Sequence, residues 1–313
     1  MGARAPYLYC TPIIYYSPRS IVFRDVELKE SSAVTSRWRG VIDYEGARFY
    51  LKVYEGDSKR AIEANLNSVV EANISVAKGF SMHGFNLGRM ATDLVEGGVA
   101  PVMLVCRGAV EDGGELRSVL GLAAPYVEGE NLLPYTLPRV EGSSEGLEEG
   151  VVRRVFCSLL EITARMHGLG VAHGDLKPAN VILHSDRPVI IDFDGAVPAT
   201  RGPPVFCFNP ANGDLAEFSG VNADCSDPLK ADWIGIIYTG TLLAHASKPV
   251  IEAREGASDP SIEDPRVRQA FESVMGRSFV EDLEAALKGA GPPDPSQPVA
   301  GLLERMRGEG VCG

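Results

Sequence analysis

Between positions 173 and 180 the chain reads His173-Gly174-Asp175-Leu176-Lys177-Pro178-Ala179-Asn180, and after eleven intervening residues comes Asp192-Phe193-Asp194. These residue types at this spacing could serve phosphoryl transfer from ATP. Asp175 can take a proton from a hydroxyl. Lys177 can reach a phosphoryl group in transit. Asn180 and Asp192 offer hard oxygens suited to Mg2+, which keeps most of its water and takes few protein ligands. Such a transfer asks the protein for positioning and charge neutralisation rather than covalent chemistry.

The elements that must hold these residues can be read from periodicity. Val26 to Leu28, Trp38 to Ile42 and Arg48 to Tyr54 are strand-like, and Asp43-Tyr44-Glu45-Gly46 reads as a hairpin turn between the last two. Lys52 sits inside the third of these strands. Ser58 opens a helix whose Ile62, Leu66, Val69, Val70 and Ile74 recur at helical spacing. A second helix is expected at about Leu87 to Val95, then strands at Val102 to Cys106 and Leu116 to Ala123. An amphipathic helix, Val151 to His167, leads into the 173–180 segment. The aromatic, Pro-bearing segment Tyr7 to Pro18 fits none of these patterns.

The 313 residues carry a net charge of −12 and a pI near 5.0, which argues against nucleic acid or an anionic membrane as the main partner. The longest apolar stretch, Trp233 to Ala244, is too short to span a bilayer. No signal-peptide pattern opens the chain. No two of the six cysteines form a Cys-x-x-Cys pair, so zinc is not expected. They read as free thiols of a reducing cytosol, and the protein as cytoplasmic. Cys207 and Cys225 lie in one long loop region and could pair.

The 173–194 pattern resembles the catalytic loop and metal-binding segment of the protein kinase superfamily. The resemblance covers about residues 17–305. It implies an α+β, bilobal protein kinase-like fold: an N-terminal extension at 1–16, a β-rich N-lobe at 17–127 and a helical C-lobe at 128–313, with ATP and Mg2+ between the lobes. It implies Asp175 and Lys177 as catalytic residues and Asn180 and Asp192 as the metal ligands. Lys52 would bind the α- and β-phosphates. That lysine should pair with a glutamate on the following helix. Glu71 has the usual separation and Glu63 lies nearer the apolar stripe, so both remain candidates. Ser31 and Ser32 occupy the phosphate-covering loop, where the family often has glycines. Tyr126 and Val127 resemble the hinge between lobes. Asp232 would be the structural aspartate that holds the catalytic-loop backbone, with His173 packed beside it.

Several positions depart from the family pattern. Gly174 replaces the arginine that commonly receives a phosphorylated activation loop. Asp194 replaces a glycine after Asp192-Phe193 and offers an extra carboxylate behind the metal ligand. Ala211 and Gln297 stand where a buried Glu–Arg pair is usual; losing both partners can be nearly neutral, whereas losing one is costly. Extra residues at 213–227 precede Asp232. The function implied is an ATP- and Mg2+-dependent phosphotransferase acting on a Ser or Thr hydroxyl of a protein substrate. The alternatives are a kinase for a small-molecule hydroxyl acceptor of the aminoglycoside or choline type, and a non-catalytic kinase-like interaction module.

Overall fold

The computed structural model describes residues 2–14, 20–31, 36–81, 83, 86–141, 145–204, 206–257 and 259–313. Its first strands are β1 (Gly2–Pro12), β2 (Ile21–Glu30), β3 (Trp38–Tyr44) and β4 (Ala47–Tyr54). Helices α1 (Gly56–Phe80) and α2 (Leu87–Glu96) follow, then β5 (Leu104–Asp112) and β6 (Glu115–Pro125). The six strands close into a barrel in the order β1-β2-β3-β4-β6-β5, each neighbour antiparallel.

Of the N-terminal extension expected at 1–16, residues 2–12 are therefore part of the barrel. Gly2–Pro12 is a barrel strand that pairs with β2 on one side and β5 on the other. Its alternation is interrupted by a register shift between Arg4 and Tyr7, so Ala3, Ala5, Leu8 and Cys10 are all buried while Tyr7 and Tyr9 face solvent. That break in the period hides the strand from a period-two reading. Closing the barrel removes two open edges, each a row of unpaired backbone groups. Phe49, Leu51 and Val53 of β4 are wholly buried, and the alternate residues Tyr50, Lys52 and Tyr54 project from the opposite face.

The remainder of the chain follows Pro125. It contains β7 (Glu130–Asn131), α3 (Leu132–Val140), α4 (Glu149–Gly168), β8 (Val171–Ala172), β9 (Val181–His184), β10 (Arg187–Ile190) and β11 (Val197–Pro198). Helices α5 (Pro228–His245), α6 (Lys248–Glu255), α7 (Pro265–Met275), α8 (Arg277–Leu287) and α9 (Pro298–Gly308) complete it. The fold is α+β and bilobal. Helix α5 is apolar on every side, as a helix packed all round must be, and residues 231 to 245 are all buried. Asp227 caps it by accepting from the Lys230 amide, and Pro228 opens it.

Gln297 is exposed at the start of α9. The buried acid of this region is Asp282, which accepts from the Trp233 indole and pairs with Arg305. Among the described residues no helix is long and apolar enough to cross a membrane.

All six cysteines are paired, as Cys10–Cys106, Cys157–Cys312 and Cys207–Cys225. The expectation of free thiols is overturned. Two of the pairs join residues 96 and 155 positions apart, a proximity created by folding that spacing rules do not reveal. Cys10 and Cys106 face each other across the β1–β5 ladder, and Cys157 on α4 holds the chain end after α9. In the chain-entropy account, cross-links over loops this long constrain the unfolded state by about 5 kcal/mol each. Structural disulfides belong to oxidising compartments, or to the interior of hyperthermophilic cells.

Candidate active site

The catalytic-loop candidates are placed by α5 from below. Asp232, with no solvent exposure, accepts from the His173 amide and the Gly174 amide at 2.7 Å each, and its carboxylate also meets His167 Nε2 at 3.0 Å. Three polar partners satisfy a carboxylate that would otherwise be costly to bury. The helix comes close enough that a Cβ at Gly235 would lie 2.1 Å from the Leu176 carbonyl oxygen. Gly174 is at φ +83°, and a Cβ there would meet Pro204 at 2.4 Å. An arginine cannot occupy this site in this backbone. His173 is fully buried, with Nε2 2.8 Å from the Ile191 carbonyl and its ring edge-on to Phe193.

Asp175 stands in the cleft with a partly exposed carboxylate. Lys177 Nζ donates to both of its oxygens, at 2.9 and 2.7 Å. The Asn180 amide nitrogen donates to the Asp175 carbonyl at 2.8 Å and to its carboxylate at 3.0 Å. That leaves the Asn180 side-chain oxygen as the atom able to meet a cation. Asp192 is held at φ +71°, a sparsely populated conformation away from glycine, at the start of a short turn (Phe193–Gly195).

Lys52 reaches across from β4 and bonds Asp192, and its Nζ lies 3.3 Å from Asp194. Asp194 in turn accepts from the Tyr54 hydroxyl. Burial favours the neutral form of each group here, and the charges answer it unequally. For Lys52, burial pulls the pKa down, but Asp194 and Asp192 outweigh it and raise it. For Asp192, burial works upward, yet Lys52 holds the carboxyl below its usual range. Asp194 is pushed up to about 8 by burial and by the charge of Asp192. Two acids beside one lysine share their protons as a coupled set.

The structure does not pair Lys52 with either glutamate candidate. Glu63 bonds Arg107 of β5 at 2.8 Å, and Glu71 bonds Arg201 at 2.9 Å. The inward face of α1 is Ile62, Val69, Ala72, Asn73, Val76, Ala77 and Phe80, so both acids lie off the buried stripe. Asn73 is the stripe's polar residue: it donates to the Phe193 carbonyl at 3.0 Å and accepts from the Val102 amide at 2.6 Å. Sequence reading missed Asn73 and Tyr54. The available signal for Tyr54 was its position two residues beyond Lys52 on the same strand face.

Tyr126 donates its amide to the Arg48 carbonyl at 2.9 Å and lies under the Arg48 guanidinium, while Val127 packs with Ala100 and Val189. Tyr126 and Tyr50 border a groove of about 1070 Å³ that also touches Leu28, Gly40 and Val41. The Ser31 amide bonds the Arg37 carbonyl at 2.8 Å. Ser32, the other serine expected at the phosphates, lies outside the described residues with Ala33 to Thr35.

On the far side of Asp175 lies a cavity of about 330 Å³, lined by Asp175, Lys177, Leu133, Phe208, Asn212 and Tyr238 among others. Its outer wall is the segment 207–227, which carries only two short helical turns (Pro210–Asn212 and Ala216–Phe218). Cys207–Cys225 closes this segment on itself. Tyr238 of α5 receives the Asp214 amide at 2.6 Å, and its ring meets Phe208 and Phe218 edge-on.

Comparison with known proteins finds sequence similarity to protein kinases. The chain is 28% identical over 221 residues to the serine/threonine-protein kinase AfsK of Streptomyces coelicolor, covering 64% of this chain and 27% of that protein. It is 35% identical over 114 residues to mitogen-activated protein kinase kinase kinase 20 of Arabidopsis thaliana, covering 33% of this chain and 32% of the relative. Over these stretches the chain is similar in sequence to protein kinases. It spans about a third or less of the length of these curated relatives. No family model matches the sequence. The solved PknI kinase domain of Mycobacterium tuberculosis aligns over 90% of this chain and 95% of its own, at 18% identity and a TM-score of 0.47.

Proposed function

We propose that this protein kinase-like chain is an ATP- and Mg2+-dependent phosphotransferase whose acceptor is a serine or threonine hydroxyl of a protein. The observation that carries the reading is the side-by-side placement of Asp175, Lys177 and Asn180, with Lys52 and Asp192 opposite and a cavity on the acceptor side. Asn180 and Asp192 would hold the metal: one presents an uncommitted amide oxygen and the other a carboxylate kept charged by Lys52. The bound metal would neutralise charge on the phosphate oxygens. Lys52 holds the α- and β-phosphates. Asp175 orients the acceptor hydroxyl and takes its proton, and Lys177 offsets charge on the phosphoryl group as it moves.

The acceptor-side cavity favours a second reading. Its volume of about 330 Å³ falls at the lower end of the range for small-molecule sites, roughly 300–1,000 Å³. A small-molecule hydroxyl would fit beside Asp175 without an extended peptide groove. The deciding experiment is ATP turnover on purified protein with Mg2+, comparing casein-type protein acceptors with a panel of hydroxyl-bearing metabolites. Label on protein supports the first reading, and turnover only with a metabolite supports the second. Absence of nucleotide binding would leave a non-catalytic interaction module.

A further inference from the structure

Lys52 lacks a carboxylate partner on α1, although its side chain is only 17% exposed. The inward face of α1 is apolar apart from Asn73, and its acids Glu63 and Glu71 are engaged by Arg107 and Arg201. The lysine instead lies between two carboxylates of a single turn. Asp192 is one, and it is also the candidate metal ligand. Asp194 is the other, 5% exposed, with one oxygen shared between Lys52 at 3.3 Å and the wholly buried Tyr54 hydroxyl.

An ion pair that must also serve a metal cannot be the lysine's only anchor. Once Asp192 is committed to Mg2+, the lysine needs a second hydrogen-bond partner to hold its position, and Asp194 is the group in reach. The Tyr54 hydroxyl fixes the Asp194 carboxylate from behind, and Tyr54 is packed against Ile62, Leu120 and Leu122. The three groups form a chain from the apolar cluster between the barrel and α1 to the phosphate-binding lysine. Asn73 ties the backbone of the same turn to α1 without contributing charge.

We propose that Asp194, braced by Tyr54, is the positioning carboxylate of Lys52, in the place that the kinase resemblance assigns to a helix glutamate. The inference rests on the phosphotransferase reading. Its consequence is that lysine placement depends on the Asp192–Gly195 turn rather than on a glutamate of α1.

The test is a set of variants assayed for steady-state phosphorylation, with ATP binding followed separately by calorimetry. Asp194→Asn should lower kcat/KM for ATP at least about tenfold while leaving the acceptor KM unchanged. Tyr54→Phe, which keeps the ring, should produce a smaller loss of the same kind, and it carries the test if Asp194→Asn does not fold. Lys52→Met combined with Asp194→Asn should be no worse than Lys52→Met alone, because the two residues act as one unit. Glu63→Gln and Glu71→Gln should match wild type. Additive losses in the double variant would overturn the proposal. So would a raised Mg2+ requirement as the sole defect of Asp194→Asn, which would make Asp194 a metal ligand, or a loss in Glu63→Gln or Glu71→Gln equal to that of Asp194→Asn. Wild-type protein that binds no ATP overturns the kinase reading and this inference together. Wild-type turnover matched by Asp194→Asn and Tyr54→Phe overturns the inference alone.

Discussion

The two walls of the cavity beside Asp175 are built by different means. The wall at 173–192 is fixed by buried polar bonds: Asp232 holds two successive amides, His173 holds the Ile191 carbonyl, and Asn180 holds Asp175. The facing wall at 207–227 has little regular structure. It is held by the Cys207–Cys225 cross-link, by Tyr238 beneath it, and by Glu217 bonding His245 at the end of α5. Charged-group geometry that must be accurate is over-determined by short hydrogen bonds. A recognition surface that needs only a shape is closed covalently and left irregular. Damage to the first wall should therefore appear in the chemical step, and damage to the second in acceptor binding or stability.

The comparison can be broken most severely at Asp192. We expect Asp192→Asn to reduce Mg2+-dependent turnover by at least about a thousandfold while the fold persists, since a charged oxygen ligand at a catalytic metal supplies several kcal/mol. Turnover at the wild-type rate with unchanged metal dependence would remove Asp192 from the metal site. Asp175→Ala comes next. Loss of a positioned base should cost about a hundredfold or more in rate, with ATP affinity little altered because Asp175 faces the acceptor cavity. Weakened ATP binding with normal saturated turnover would contradict that assignment.

The other wall should respond differently. Cys207→Ser with Cys225→Ser should raise the acceptor KM by about threefold to tenfold and leave the ATP KM alone. The cross-link closes a loop over 18 residues, worth up to about 3 kcal/mol of chain constraint. A fall in kcat without a change in acceptor KM would show that this wall serves the chemistry directly. The mildest effect is expected at Glu217. Burial raises its pKa, but the hydrogen bond and charge of His245 outweigh it, so the folded value lies below the ordinary 4.5. A carboxyl lowered in this way contributes stability that is fully present above pH 4.5 and is lost as pH falls through its folded value. Glu217→Gln should accordingly cost about 1 kcal/mol near neutrality and nothing at strongly acid pH. Chemical denaturation across that range reads the difference, and identical curves for the two proteins would show that the pair contributes nothing.

The sequence by itself determined the local arrangement of the first wall. Residues 173 to 194 are close in the chain, so their types and spacing dictate a loop, a short hairpin and a turn that bring Asp175, Asn180 and Asp192 together. Asp232 was legible too, as the acid opening an apolar helix. Tertiary structure decided what depends on distant segments meeting. It closed the barrel with Gly2–Pro12, whose alternation a register shift conceals. It paired all six cysteines, two pairs of them across roughly a hundred residues or more. It also gave Lys52 its partner. Sequence separation favoured Glu71 and helical spacing favoured Glu63, but spacing along α1 cannot say which face meets β4. Packing set an apolar stripe there and brought Asp194 to the lysine from 142 residues away. A buried cation takes the carboxylate that the assembled fold presents, and only the fold defines which one that is.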